Sequence, residues 1–170
     1  MKEVVMSDLQ VQVLMGSKSD ADVMANAVRT LEELGISSHM TVASAHRTPE
    51  RVRRVLDEAL NRGTKVFIVG AGAAAHLAGV VAAHTTAPVI GVPIDSSPLG
   101  GFDSLLSTVQ MPPGIPVATV AVGKAGATNA AVLAAQILAV SDSAVRSRLD
   151  EYRQGLAAKV ERSAAELEQG

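Results

Sequence analysis

Val66-Phe67-Ile68-Val69, followed at once by Gly70-Ala71-Gly72-Ala73-Ala74-Ala75, is the stretch that decides the fold class. It is apolar at every strand position rather than at alternate ones. A strand written that way is buried on both faces, as strands of a parallel sheet are. Outward from it, Val11 to Met15, His39 to Ala43 and Val89 to Val92 are further short apolar runs, and Val117 to Val122 adds a fifth. The first four each end in Gly, Ser or Pro and give way mostly to helical spacing. Repeated β-α units predict a doubly wound, three-layer α/β/α sandwich around a central parallel sheet. Helices are expected from Asp20 to Leu34, Pro49 to Arg62, Ala73 to His84, near Asp103 to Val109, and from Asn129 to Leu138.

The rest of the composition fits one compact unit. The chain has 170 residues, 48% of them hydrophobic, and a mean hydropathy of +0.26, which excludes a disordered polymer. A net charge of -2, no Lys/Arg cluster and only three aromatic side chains leave little to grip a nucleic-acid backbone or stack on bases. There is no cysteine, so disulfides, thiolate metal sites and cysteine nucleophiles are excluded. Met1 to Gln10 holds no long apolar run, and no stretch reads as membrane-spanning, so a cytoplasmic location is expected.

Charge is unevenly spread. From Thr64 to Val140 the only charged residues are Lys65, Asp95, Asp103 and Lys124, whereas Asp142 to Glu168 carries eleven. A small domain exposes much of its surface, so so long a charge-poor stretch predicts subunit contacts and a homo-oligomer. Along the tail, Val145, Leu149, Tyr152, Leu156, Val160, Ala164 and Leu167 recur every three or four residues, a narrow apolar stripe on a charged helix. The expected organisation is a tail over 1–10, a single α/β domain over 11–140, and an extended helix over 141–170. That helix lies on its own domain or on a neighbouring subunit.

Two polar loops carry the chemistry. Ser44-Ala45-His46-Arg47-Thr48-Pro49 packs an imidazole, a guanidinium and two hydroxyls into one strand-to-helix connection. A histidine side chain titrates near ~6.5 and moves a proton at neutral pH; an arginine beside it suits phosphate or carboxylate. The plainer reading is that Thr48 caps a helix with Pro49 at its first position. Met15-Gly16-Ser17-Lys18-Ser19-Asp20 ends the first strand with a glycine, two hydroxyls and the unpaired N-H groups of a helix start, an anion cradle. Here the plainer reading is helix capping by Ser19 and Asp20, with Lys18 solvated. In an open parallel sheet both loops lie at the carboxyl ends of the strands, where ligands collect.

Several patterns compete. Gly70-Ala71-Gly72-Ala73-Ala74-Ala75 with Asp95 downstream matches the dinucleotide fingerprint, but in the third β-α-β unit rather than the first. A flavin carrier of this fold would need more aromatic residues than Phe67, Phe102 and Tyr152. His76 stands where it can meet His46 across the crevice; no HExxH or carboxylate cluster accompanies them, so no metal is expected. His39 and His84 read as structural. The loop at Gly16 is not a Walker A sequence, and no G-x-S-x-G elbow makes Ser44 a nucleophile.

Taken together, MGSKSD, SAHRTP, GAGAAAHLAG, PVIGVP and FDSLLSTVQMPPGIPVATVAVGKAGATNAA resemble the N(5)-carboxyaminoimidazole ribonucleotide mutase family of purine biosynthesis, from Val11 to Leu138. The resemblance implies a flavodoxin-like fold, a homo-octamer joined partly by the C-terminal helix, and no metal or organic cofactor. It implies movement of a carboxylate from the exocyclic amine of an imidazole ribonucleotide to ring carbon 4. CO2 leaves the carbamate and is recaptured, with His46 moving the proton. It further implies ribose phosphate on Ser17, Ser19 and Arg47, ribose hydroxyls on Asp20, and Ser44 and Ala45 lining the base pocket. His76 and Leu77 would border the carboxylate, with Gly72 in the small-residue wall that keeps water out. Family members often carry Gly and Pro where this chain has Ala73 and Ala78; alanine lacks glycine's freedom at positive φ, so a looser fit of that loop is expected. Two alternatives stand beside this: a carboxylase that uses free aminoimidazole ribonucleotide and CO2, and a non-catalytic nucleotide-binding module.

Overall fold

A computed structural model describes residues 9–169. Most of the expected tail over 1–10 lies outside the described residues. Five parallel strands form one sheet: β1 (Val11–Met15), β2 (Ser38–Val42), β3 (Val66–Gly72), β4 (Val89–Ile94) and β5 (Ala118–Thr119). Their spatial order is β2-β1-β3-β4-β5. The helices are α1 (Ala21–Glu33), α2 (Pro49–Asn61), α3 (Leu77–His84), α4 (Phe102–Val109), α5 (Gly123–Ala139) and α6 (Ser143–Glu168), with a 3-10 turn over Lys18–Asp20. This is the expected three-layer α/β sandwich.

Side-chain alternation along the strands divides the core in two. Val11, Val13 and Met15 of β1 join Val66, Ile68 and Ile90 on the face covered by α1 and α5. Leu14, Phe67, Val69 and Val89 meet Val52 and Leu56 of α2 and Leu77 and Val81 of α3 on the other. The α5 contribution is small: Ala127, Ala130, Ala131, Ala134 and Ala135 are fully buried, so this helix approaches the sheet and α1 closely. Gln12, also buried, spends its amide on Val13 O (3.0 Å) and His39 O (2.8 Å), so no donor is stranded.

Four expectations need correction. β2 is only half-buried, because it is a sheet edge with β1 as its sole partner. The fifth run shortens to two strand residues. The third helix starts at Leu77, not Ala73: β3 runs on through Gly72, and Ala73 (φ 50°) and Ala75 (φ 33°) turn the chain with left-handed backbone. The fifth helix starts at Gly123, six residues before the expected Asn129.

The tail helix divides along its length. Asp142 caps it by accepting from Ala144 N (3.0 Å) and Val145 N (3.1 Å), and the Arg148 side chain donates to Leu34 O at the end of α1. Val145 and Leu149 are buried and Tyr152 packs against the same cluster, whereas Leu156, Val160 and Leu167 are 51%, 67% and 84% exposed. The first turns lie on the chain's own domain; the rest of the stripe has no partner on this chain.

Candidate active site

The sheet order places the site. β1 and β3 are neighbours, but β1 feeds α1 on one face and β3 feeds α3 on the other, so their loops part and leave a crevice at the carboxyl ends. The register levels these ends, pairing Met15 with Val42 and with Gly70, and Gly72 with Ile94. The crevice encloses about 350 Å³ and is lined by all ten residues singled out from sequence: Ser17, Ser19, Asp20, Ser44, Ala45, His46, Arg47, Gly72, His76 and Leu77. Gly16, Ala71, Ala73, Ala75 and Ser96 also line it. Lys18 is exposed and does not.

Its loops are braced from within. Ser17 Oγ accepts from Ser19 N (3.3 Å) and shares a hydroxyl–hydroxyl hydrogen bond with Ser19 Oγ (2.9 Å), which winds the 3-10 turn and brings Asp20 inward. Asp20 is only 5% exposed, and burial raises its pKa from the ordinary carboxyl value; hydrogen bonds from the Ser19 hydroxyl and the Ser17 backbone pull the other way. Neither Asp20 nor Thr48 supplies the side-chain cap that the plainer reading of each loop requires. Thr48 Oγ1 instead accepts from Ser44 N (3.0 Å) and donates to Ser44 O (3.2 Å), closing the SAHRTP loop on itself ahead of Pro49. Arg47 N donates to Ser44 Oγ at 3.2 Å, and its guanidinium leans toward Gly16 O at 3.5 Å, between the loops of β1 and β2.

Two imidazoles meet inside this frame. His46 Nε2 and His76 Nδ1 are 2.6 Å apart, with ring centroids 4.7 Å apart and planes at 76°. One facing nitrogen donates and the other accepts, so the contact holds one proton and the pair carries at most one positive charge while it lasts. His39 and His84 bond instead within the framework, to Gln12 Oε1 (3.4 Å) and Val80 O (2.8 Å). Among the described residues no three His, Cys, Asp or Glu side chains gather as metal ligands. A larger cleft, about 570 Å³, lies over α2 and β2, but Arg51 there is already held by Val42 O (2.7 Å) and Thr41 Oγ1 (3.1 Å), and no imidazole pair faces it.

The dinucleotide pattern dissolves in the structure. Gly70 and Gly72 belong to β3 rather than to a turn opening a helix. Gly70 is needed because a side chain there would collide with the Met24 thioether of α1. Asp95 does not line the crevice; its carboxylate lies toward the start of α5, 3.5 Å from where a Cβ on Gly123 would stand.

Comparison with known proteins gives one answer. A family model described as AIR carboxylase matches residues 10–159. A Brucella melitensis protein named N5-carboxyaminoimidazole ribonucleotide mutase is 55% identical over 145 residues, 85% of this chain and 90% of its own. A Bacillus subtilis protein of the same name is 51% identical over 157 residues, 92% of this chain and 97% of its own. The crystal structure of Treponema denticola PurE superposes with a TM-score of 0.83 at 32% identity, covering 93% of this chain and 98% of that one.

Proposed function

This chain belongs to the AIR carboxylase family, and on that premise we propose that it is an N5-carboxyaminoimidazole ribonucleotide mutase of purine biosynthesis. It converts 5-carboxyamino-1-(5-phosphoribosyl)imidazole to the 4-carboxylate of 5-amino-1-(5-phosphoribosyl)imidazole, with no cofactor. The observation that carries the mechanism is the His46–His76 imidazole pair in a crevice that also presents hydroxyls and a guanidinium. Ser17, Ser19 and Arg47 take the ribose phosphate, where charge-assisted hydrogen bonds are strongest, and Asp20 accepts from ribose hydroxyls. Ser44 and Ala45 line the base.

His46 is the general acid and base. It protonates the exocyclic nitrogen as CO2 departs, ring carbon 4 attacks the trapped CO2, and His46 then removes the carbon-4 proton. One proton is given and one returns, so a single imidazole closes the cycle. His76 orients His46 through their 2.6 Å contact. Ala71, Gly72, Ala73 and Ala75 form the small-residue wall, with Leu77 bordering it, that keeps water from CO2. The direct-carboxylase alternative is not favoured: the relatives at 50–55% identity bear the mutase name.

The protein works as a homo-oligomer, an octamer as the family resemblance implies, in the cytoplasm. Assembly is supported by exposed Leu99 ahead of α4, by exposed Phe102, Leu106 and Val109 on it, and by the uncovered stripe of α6. No described helix is long and apolar enough to cross a membrane. The test follows the 4-carboxy product by ultraviolet absorbance, offering either the N-carboxy ribonucleotide or aminoimidazole ribonucleotide with bicarbonate and CO2. The wild type turns over the N-carboxy substrate and uses the other only at high CO2, while His46→Asn binds ligand without turnover. Efficient use of free aminoimidazole ribonucleotide at low CO2 would establish the carboxylase instead, and no product from either refutes catalysis.

A further inference from the structure

Most polar side chains around the crevice are already engaged with one another. Ser17, Ser19 and Asp20 form one chain of hydrogen bonds, Ser44 is bonded to Arg47, and His46 faces His76. Ser96 differs. It follows β4, is exposed at the carboxyl end of the sheet, and lines the crevice with a hydroxyl that has no hydrogen-bond partner among the described residues.

Its position is made by a missing side chain. A Cβ on Gly72 would collide with Ser96 Oγ and stand 3.1 Å from Ser96 Cβ and 3.2 Å from Ile94 O. The Ser96 hydroxyl therefore occupies the space directly over Gly72 that any other residue would fill. The wall around it is Ala71, Gly72, Ala73 and Ala75, none with a polar side chain. A carboxylate moved onto that wall loses water and needs a donor; left unpaired, it is strongly penalised. Ser96 is the side-chain donor on that wall, and its exposure lets water serve it while no ligand is bound.

We propose that Ser96 is a further substrate-contacting residue, whose hydroxyl donates to the migrating carboxylate and distinguishes carboxylated from uncarboxylated ribonucleotide. This rests on the mutase reading of the crevice. Ser96 is not a proton carrier: it holds the carboxylate oxygens over Gly72 while the His46 imidazole works on the ring.

The test compares wild type with Ser96→Ala by calorimetric titration of two ligands, the 4-carboxy aminoimidazole ribonucleotide and aminoimidazole ribonucleotide itself. A hydrogen bond to a charged acceptor predicts roughly tenfold or greater weakening of the carboxylated ligand in the variant. Affinity for the uncarboxylated ligand should stay within about twofold, because phosphate and ribose contacts are untouched. The midpoint of thermal unfolding should not move, since Ser96 is exposed. Equal weakening of both ligands, or no change in either, overturns the role of Ser96. Failure of wild type to bind either ligand overturns the mutase reading itself, and this proposal with it.

Discussion

Replacing Ala73 with glycine should stabilise the protein, and the size of the effect follows from three features of the structure. Ala73 has φ 50°, in the left-handed region. That conformation costs an L-residue about 1–2 kcal/mol and glycine almost nothing. Against this, glycine enlarges the unfolded ensemble, a loss of about 0.4–1 kcal/mol. No packing is forfeited, because Ala73 is exposed. The net is about 0.5–1 kcal/mol in favour of the variant, which in a chain of this length raises the thermal midpoint by roughly 1–4 °C. Ala75 is the internal control. It also has positive φ, 33°, but is only 3% exposed. Ala75→Gly strips a buried methyl, a further loss of about 0.8 kcal/mol, so its net effect should be near zero or destabilising. Urea unfolding of both variants at one fixed protein concentration measures the difference, since assembly makes stability concentration-dependent. A destabilised Ala73→Gly, or an Ala75→Gly that gains more than Ala73→Gly, would show that the turn into α3 is not where the backbone strain resides.

Asp20→Asn should trade function for stability. Because burial raises the folded-state pKa of Asp20, the native protein binds its proton more tightly than the unfolded chain, and stability falls as pH rises from the unfolded value, about 3.9, through the raised folded one. The variant escapes that loss, so its advantage in denaturant midpoint should be absent at low pH, grow across that window and stay constant above it. An advantage that instead shrinks with rising pH would reverse the assignment. The same variant should bind ribonucleotide more weakly, read by calorimetric titration. In the tail, Leu156→Glu combined with Val160→Glu should lower the assembly mass measured by light scattering, while the far-ultraviolet dichroism of the helices persists, because both side chains are more than half exposed on the single chain. An unchanged mass would mean that this stripe joins no subunits.

What could be read from sequence was whatever depends on contiguous residues. β3 and β4 are uniformly apolar, and β1 is so but for Gln12, because both faces of each are covered, and the pattern announces it. The two catalytic-looking loops were legible because hydroxyls, imidazole and guanidinium crowd into strand-to-helix turns, and the sheet order then brings them together. The start of α3 was not legible. Ala73, Ala74 and Ala75 are strong helix formers, yet Ala73 and Ala75 turn the chain out of β3 with positive φ, so tertiary placement overrides propensity. Ser96 was invisible for another reason. In Asp95-Ser96-Ser97-Pro98 it looks like any turn serine, and only the missing side chain of Gly72, 24 residues earlier, admits its hydroxyl to the crevice.

The tail helix marks a sharper boundary on what a pattern can say. Val145, Leu149 and Tyr152 continue into Leu156, Val160 and Leu167 at unbroken helical spacing, so nothing in the periodicity separates the two halves. The structure separates them: α5 and the end of α1 cover the first turns, and the helix then runs past the edge of its own domain. An apolar stripe records that a face is to be buried. Whether the covering surface belongs to the same chain depends on how far that chain's other helices reach, which is a property of the folded layers. A 26-residue helix spans about 39 Å, whereas the 17 residues of α5 beside it span only about 26 Å. The surplus length leaves Leu156 and Val160 without cover on this chain, and it is there that a second copy has to be sought.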